Sequence, residues 1–399
     1  MSAEMKLDFP AIQTRHTEEE IAELCEALVE AKTLSMGPYL REFETAFADF
    51  LSAKYCFGVC NASCALELAA MLCGTREGEE IIVAAHTFTA SALPFLRLKA
   101  KLVFADIDPL TFVMDVADVK NKITARTRAV VAVHLYGLPV NMDTLMPLAR
   151  QRGIMVIEDC AQSPGAAWRG KKTGTFGDFG CFSFHGQKNI STLGEGGMIV
   201  TENEAYAEKI LGLRKIGQRP FVNQTKYWLP AMSNIVEAAP GLIPYNFALG
   251  EIQAKAGTLL LKRLDRINAR RRENIAAIVS ALSHHPELQF QKMPPDALHA
   301  AHLLPARLAV LGSGKNRDDL IGMLYNDYGI KCVVQYYPLY RYELFQKHGY
   351  YDDGSCPETN RFFDSMLSFP FGSDLTDGDR DYLIASTDAA LNTLKGADT

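Results

Sequence analysis

The chain has no CxxC motif. Its nine cysteines, at 25, 56, 60, 64, 73, 160, 181, 332 and 356, are odd in number, with no CxxC pair and no Cys/His grouping at zinc spacing. That excludes a disulfide framework or a zinc module as the basis of the fold, and a reduced, cytoplasmic setting is expected. No run approaches the ~18–20 apolar residues that span a bilayer. Met1 to Pro10 lacks an apolar core, so neither membrane insertion nor a secretory leader is expected. Positive charge is not in excess either. With a net charge of −6 there is no general attraction for nucleic acid. The basic stretch Lys262-Arg263, Arg266 and Arg270-Arg271-Arg272 alternates with Leu261, Leu264 and Ile267 at helical spacing, which reads as the solvated face of a long helix. Internal repeats and low-complexity tracts are also missing.

What the chain does have is apolar material, 48% of 399 residues with 10% aromatic, enough for about two domains. Thr17 followed by Glu18-Glu19-Glu20 is a capping box, and Ile21, Leu24, Cys25 and Leu28 recur at helical spacing, so a helix is predicted over 17–31. From Lys54 to Thr201 short apolar runs alternate with helical segments: Cys56-Val59, Ile81-Ala85, Leu102-Ala105, Ala129-His134, Ile154-Ile157, Cys181-Phe184 and Met198-Thr201. That rhythm predicts an α/β fold with a mainly parallel sheet. A large domain is expected over 1–250. A bridging helix at 251–284, within one long helical segment from about 247 to 283, leads to a smaller C-terminal α/β domain at 285–399, with strands at Leu304-Leu311 and Lys331-Tyr336. Gln218 to Pro244 is the least ordered region expected.

Parallel sheets bind ligands beyond the carboxyl ends of their strands, and the polar motifs cluster there. Asp159 ends the apolar run Ile154-Ile157, and Lys188 follows Gly177-Asp178-Phe179-Gly180-Cys181-Phe182-Ser183-Phe184-His185. An amine that can hold an aldehyde as an imine, with a carboxylate that can keep a pyridine nitrogen protonated, is what pyridoxal phosphate requires. Asp159 alone also reads as a turn cap, but Gln162 three residues on can reach the ring hydroxyl of a cofactor held there. Asn61-Ala62-Ser63 precedes a helix starting near Cys64, where N–H groups and a hydroxyl face outward and suit a phosphate; a plain Ser N-cap is the alternative. Ser183 can add a second hydroxyl. Phe88 can stack on the ring or lie in the core. Gly194-Glu195-Gly196-Gly197 precedes a strand rather than opening a helix, so it reads as a tight turn and not as a dinucleotide loop. His86 and His185 adjoin these motifs as catalysts or as supporting hydrogen-bond partners.

These residues resemble the fold-type I pyridoxal phosphate enzymes, and specifically the DegT/DnrJ/EryC1/StrS sugar aminotransferases. The likeness extends from Gly37-Pro38 and Phe43-Glu44 through Ile157-Glu158-Asp159 to Gly194-Glu195-Gly196-Gly197. It implies that Lys188 carries the cofactor, Asp159 pairs with its ring nitrogen and Gln162 contacts its ring oxygen. Ser63 and Ser183 would bind the phosphate, with Ala62 beside them and Phe88 on the ring. Asn246 would reach the phosphate of a neighbouring subunit in a homodimer. It implies L-glutamate as amino donor and a keto- or aldehyde-sugar as acceptor. Retention of Lys188 argues against the dehydratases of the family, in which histidine replaces the lysine; a catalytically silent regulator is the other alternative. Three departures stand out: Ala62-Ser63 for the usual Gly-Thr, Ala248 for a common Arg, and Gln335-Tyr336 for a frequent His-Tyr. The last two lie toward the expected substrate side. They leave two acceptors open, a nucleotide-linked sugar or a free sugar acid, the latter as in the branch that makes 8-amino-3,8-dideoxyoctulosonate. Gln335, Tyr336 and Arg341 are the substrate-side candidates, with His86 and His185.

Overall fold

The computed structural model describes residues 4–218, 228 and 234–396. Most of the Gln218–Pro244 stretch lies outside the described residues. Seven strands form the large sheet: β1 (Tyr55–Val59), β2 (Glu80–Ala84), β3 (Lys101–Ala105), β4 (Thr127–Val133), β5 (Met155–Asp159), β6 (Phe179–Ser183) and β7 (Gly197–Thr201). Their order is β1-β7-β6-β5-β4-β2-β3, and all run parallel except β7, which is antiparallel to both its neighbours. The central strands are buried on both faces, which is why they read as continuous runs such as Ala129-Val130-Val131-Ala132-Val133 rather than as alternating ones.

The helix Glu18–Glu30 starts on the reciprocal Thr17–Glu20 capping box, a device worth about 1 kcal/mol. The expected long helix is in fact two, Glu251–Leu261 and Leu264–Ala281. The break falls at Arg263, whose backbone leaves the helical region (φ −120°, ψ 9°). Its guanidinium reaches Glu20 at 2.7 and 2.9 Å and the Arg15 carbonyl at 2.5 Å. Neither Gly nor Pro marks this break in the sequence.

The arginine-rich face needs a second correction. Arg271 is not solvated: it is fully buried and donates to the carbonyls of Ala301 and His302, each at 2.6 Å, and to Gln13 and Ser373, each at 3.0 Å.

A second, antiparallel sheet joins Leu288–Phe290, Leu304–Leu308 and Met366–Phe369 around its own apolar cluster, to which Ile275 and Ile278 contribute. Leu339, Phe345 and Phe362 turn back into the core of the large sheet. The expected strand Lys331–Tyr336 does not form. Only Val333 pairs with Ser368, through hydrogen bonds of 3.1 and 2.7 Å, and the chain then leaves the sheet, so that Gln335 and Tyr336 line the cavity described next. No helix among the described residues is long and apolar enough to cross a membrane.

Candidate active site

A cavity of about 420 Å³ opens at the carboxyl ends of the parallel strands, within the size range of small-molecule sites. The end of β5 places Asp159 in its wall. One carboxylate oxygen accepts from the Ser91 hydroxyl at 2.7 Å and the other from the Ala161 N–H at 3.0 Å, so the residue caps its own turn and also faces the cavity. Its neighbour Glu158 points to the opposite side of the strand. There it accepts from the N–H groups of Gly174, Phe176 and Gly177 and from His134, which fixes the loop that feeds β6. Val140 N–H donates to His134 Nδ1, so the His134 proton lies on Nε2, facing Glu158.

Lys188 lies on the connection between β6 and β7. The segment is tied down on both flanks: Gln13 N–H donates to the Gly186 carbonyl at 3.0 Å and the Thr14 hydroxyl to the Asn189 carbonyl at 2.9 Å. The Asn189 side chain is held by Asn268, Ala300 and His302. Lys188 itself is only partly covered as a residue, but its amine lines the cavity in a desolvated position. Burial pulls its proton affinity down to about 8, and the Asp159 carboxylate opposes that fall. Among the described residues the amine makes no hydrogen bond.

The helix Ala62–Leu72 ends against the same cavity. Its cap is Asn61, not serine, and the Asn61 side chain accepts only from Cys64 N–H, at 2.9 Å. The N–H groups of Ala62 and Ser63 thus have no acceptor within the helix. Gly197 is required here: a Cβ would meet the Asn61 carbonyl carbon at 2.5 Å and the Ala62 nitrogen at 2.7 Å. Gly194, at φ +120°, makes the turn before it. The GEGG stretch is therefore the tight turn expected, and its last glycine lets β7 press on the helix end.

Ala62, Ser63, Phe88, Asp159, Gln162, Ser183, His185, Lys188, Gln335 and Tyr336 all line this cavity. Gln162 accepts from Tyr136 N–H at 2.7 Å and donates to the Tyr336 hydroxyl at 2.9 Å, which ties two walls together. Phe88 keeps an open face, 54% exposed.

Two substrate-side candidates are misplaced by the sequence reading. His86 is fully buried behind the wall, 2.6 Å from the Tyr136 hydroxyl, and burial lowers its proton affinity to about 3. Arg341 points away from the cavity to Asn360, Asp352 and Asp364. Asn246 is exposed and does not line this chain's cavity. Ser91, Tyr136 and Glu195 are brought to or behind the cavity without having been singled out from sequence. Ser91 lies in an unremarkable Thr-Ala-Ser run, and nothing local signals its contact with Asp159.

An amine of lowered proton affinity, a strand-end carboxylate and an open helix N-terminus on one parallel sheet suit a phosphorylated aldehyde cofactor. They define an aminotransferase site of the pyridoxal phosphate type. The DegT/DnrJ/EryC1/StrS aminotransferase family matches residues 15–387. The chain belongs to that family, the pyridoxal phosphate-dependent sugar aminotransferases. It is similar to the spore coat polysaccharide biosynthesis protein SpsC of Bacillus subtilis, 32% identical over 95% of each chain. It is also similar to the GDP-perosamine synthase of Caulobacter vibrioides, 34% identical over 90% of this chain and 91% of that one. The crystal structure of an aminotransferase from Psychrobacter cryohalolentis superposes with a TM-score of 0.90, at 27% identity, covering 97% of this chain and 100% of the other.

Proposed function

We propose that the protein transfers an amino group from L-glutamate to a keto- or aldehyde-sugar used in a surface polysaccharide or lipopolysaccharide. The observation that carries this is the Lys188 amine, desolvated beside Asp159 and without a hydrogen bond among the described residues. When bound, pyridoxal phosphate supplies the aldehyde that carries the amino group and a ring that accepts an electron pair. The Ala62 and Ser63 N–H groups with the Ser63 and Ser183 hydroxyls would hold its phosphate. Asp159, steadied by Ser91 and Ala161, would face its ring nitrogen. Gln162 would face its ring oxygen and Phe88 its open ring face.

With a proton affinity near 8, Lys188 is able both to take a proton from the α-carbon of the amino donor and to return one to the acceptor at working pH. Gln335 and Tyr336 form the wall where the acceptor would lie. The names of two relatives, a spore coat polysaccharide biosynthesis protein and a GDP-perosamine synthase, support a sugar acceptor. Gln335 in the cavity wall, where histidine is frequent in the family, favours a free sugar acid such as 8-oxo-3-deoxyoctulosonate over a nucleotide-linked sugar.

We place the enzyme in the cytoplasm as a homodimer, with Asn246 completing the partner's site. The exposed Ile243 and Tyr245 beside it support that face as an interface, at 85% and 70% exposure. Mixing the cofactor-loaded protein with L-glutamate should bleach the lysine-bound chromophore, and the correct oxo-sugar should restore it. Glutamate without effect would remove the donor assignment. Restoration by a nucleotide-linked sugar alone would reverse the order of the two acceptors.

A further inference from the structure

Two thiols flank the helix end that faces the cavity. Cys60 follows β1 and Cys64 lies in the first turn of the helix Ala62–Leu72, so only Asn61, Ala62 and Ser63 stand between them. Their sulfurs are 3.3 Å apart. Of the other seven cysteines, Cys25 is exposed and six are buried. A disulfide requires a sulfur separation of about 2.05 Å, so this pair needs a closure of roughly 1.3 Å.

The backbone on either side of the pair is held. Cys60 N–H is anchored to the Phe247 carbonyl at 2.8 Å, Cys64 N–H is held by the Asn61 cap at 2.9 Å, and Gly197 presses on Asn61 from the far side. The Asn61–Ser63 turn is the segment between those two anchors.

We propose that Cys60 and Cys64 form a reversible dithiol–disulfide site, whose closure moves the Asn61–Ser63 turn and weakens binding of the phosphorylated cofactor. The second half rests on the placement of the cofactor phosphate at this helix end. The two thiols are unequal. The sulfur–sulfur contact brings the Cys60 thiol down, helped by the N–H groups of Cys60 and Asn61 and opposed by burial and by Glu195. Cys64 is pushed up by the same contact.

Cys60 attacks in the step that follows, and the same balance holds with the two sulfurs exchanged. With a peroxide as oxidant, the Cys60 thiolate bonds to one oxygen, the O–O bond breaks and hydroxide leaves, giving a sulfenic acid. The Cys64 sulfur then bonds to the Cys60 sulfur. Its proton departs with the displaced hydroxyl as water, and the first hydroxide takes up the proton that Cys60 had released. Two thiols and one peroxide give one disulfide and two waters. A dithiol reductant reverses the step.

The test uses the full chain, reduced and then treated with hydrogen peroxide, with peptide mapping and a titration of pyridoxal phosphate by absorbance. Mapping should find the Cys60–Cys64 link, and cofactor affinity should fall about tenfold, as for loss of one hydrogen bond to a charged group. Dithiothreitol should restore the affinity. Cys64→Ser, and Cys64→Ala should the serine variant melt early, should keep its affinity through the same treatment. Absence of the link would overturn the proposal, and a link with unchanged affinity would overturn its regulatory half. If the reduced protein bound no cofactor, the functional reading would fall and the affinity claim with it, while the mapped link would still decide the thiol chemistry.

Discussion

Lys188 and Arg271 are both cations withdrawn from water, and the protein treats them in opposite ways. Arg271 has four oxygen acceptors within 3.0 Å and a ring, Phe371, 4.8 Å from its centre. Lys188 has none of that; it has a carboxylate close enough to be felt and an adjoining cavity. Burial lowers the proton affinity of both. A buried cation saturated with acceptors locks a fold, whereas one left unsaturated holds reactivity in reserve.

Substitution should separate the two most sharply. Lys188→Met should cost at least about 10³-fold in turnover, while the cofactor-free protein melts no lower than wild type, because an amine without a hydrogen bond among the described residues has been removed. Arg271→Leu should do the reverse: four acceptors lose their donor, and chemical denaturation should show about 3 kcal/mol of lost stability. A Lys188 variant that unfolds, or an Arg271 variant that stays stable and loses only turnover, would break the comparison.

Next in size is Ser91→Ala, which removes a hydroxyl from the Asp159 carboxylate. We expect kcat/KM to fall about tenfold or somewhat more, with little change in melting temperature.

The pH dependence sharpens the Lys188 side. The rate at which added pyridoxal phosphate forms its lysine-bound chromophore should rise with pH through about 8. Asp159→Asn should move that midpoint down, since the Asp159 carboxylate is what holds it up. The linked stability has a definite sign. The unfolded chain keeps this proton up to about 10.5 and the folded chain only to about 8, so cofactor-free stability should rise with pH between those values. Smallest of all, Arg341→Ala should leave KM for the sugar within about threefold, because Arg341 is engaged in half-exposed ion pairs away from the cavity.

The strands of the large sheet were legible to within about two residues because each is an unbroken apolar run closed by polar residues. Asp159, Ser183 and Lys188 converge because they end or follow adjacent strands, so the heart of the cavity could be read from the same rhythm. What escaped depends on contacts distant in sequence. Ser91 and Asp159 are 68 positions apart. Which of three consecutive arginines turns inward depends on where the Ala301 and His302 carbonyls lie, and helical spacing does not reveal that. His86 was drawn to the site by its neighbours Thr87 and Phe88, yet the chain direction there turns its ring to Tyr136 instead. The strand expected at Lys331–Tyr336 has suitable residues, but only Val333 bridges to the second sheet, while Lys331 N–H donates to the Leu7 carbonyl at 2.9 Å.

The hairpin of β6 and β7 carries a further consequence. Ser183 pairs with Gly197, and the pairing continues past the strands through Phe184 with Gly196 and Gly186 with Gly194. Lys188 rides on this connection and Gly197 touches the Asn61 turn, so the span from amine to helix end is counted out in residues, as on a ruler. A one-residue slip in the paired part would turn Ser183 away from the cavity. The Gln335–Tyr336 wall is instead held by side chains, the Tyr136 hydroxyl donating to the Gln335 carbonyl and the Gln162 amide to the Tyr336 hydroxyl. A substitution in that wall would therefore leave the reach of the lysine calibrated.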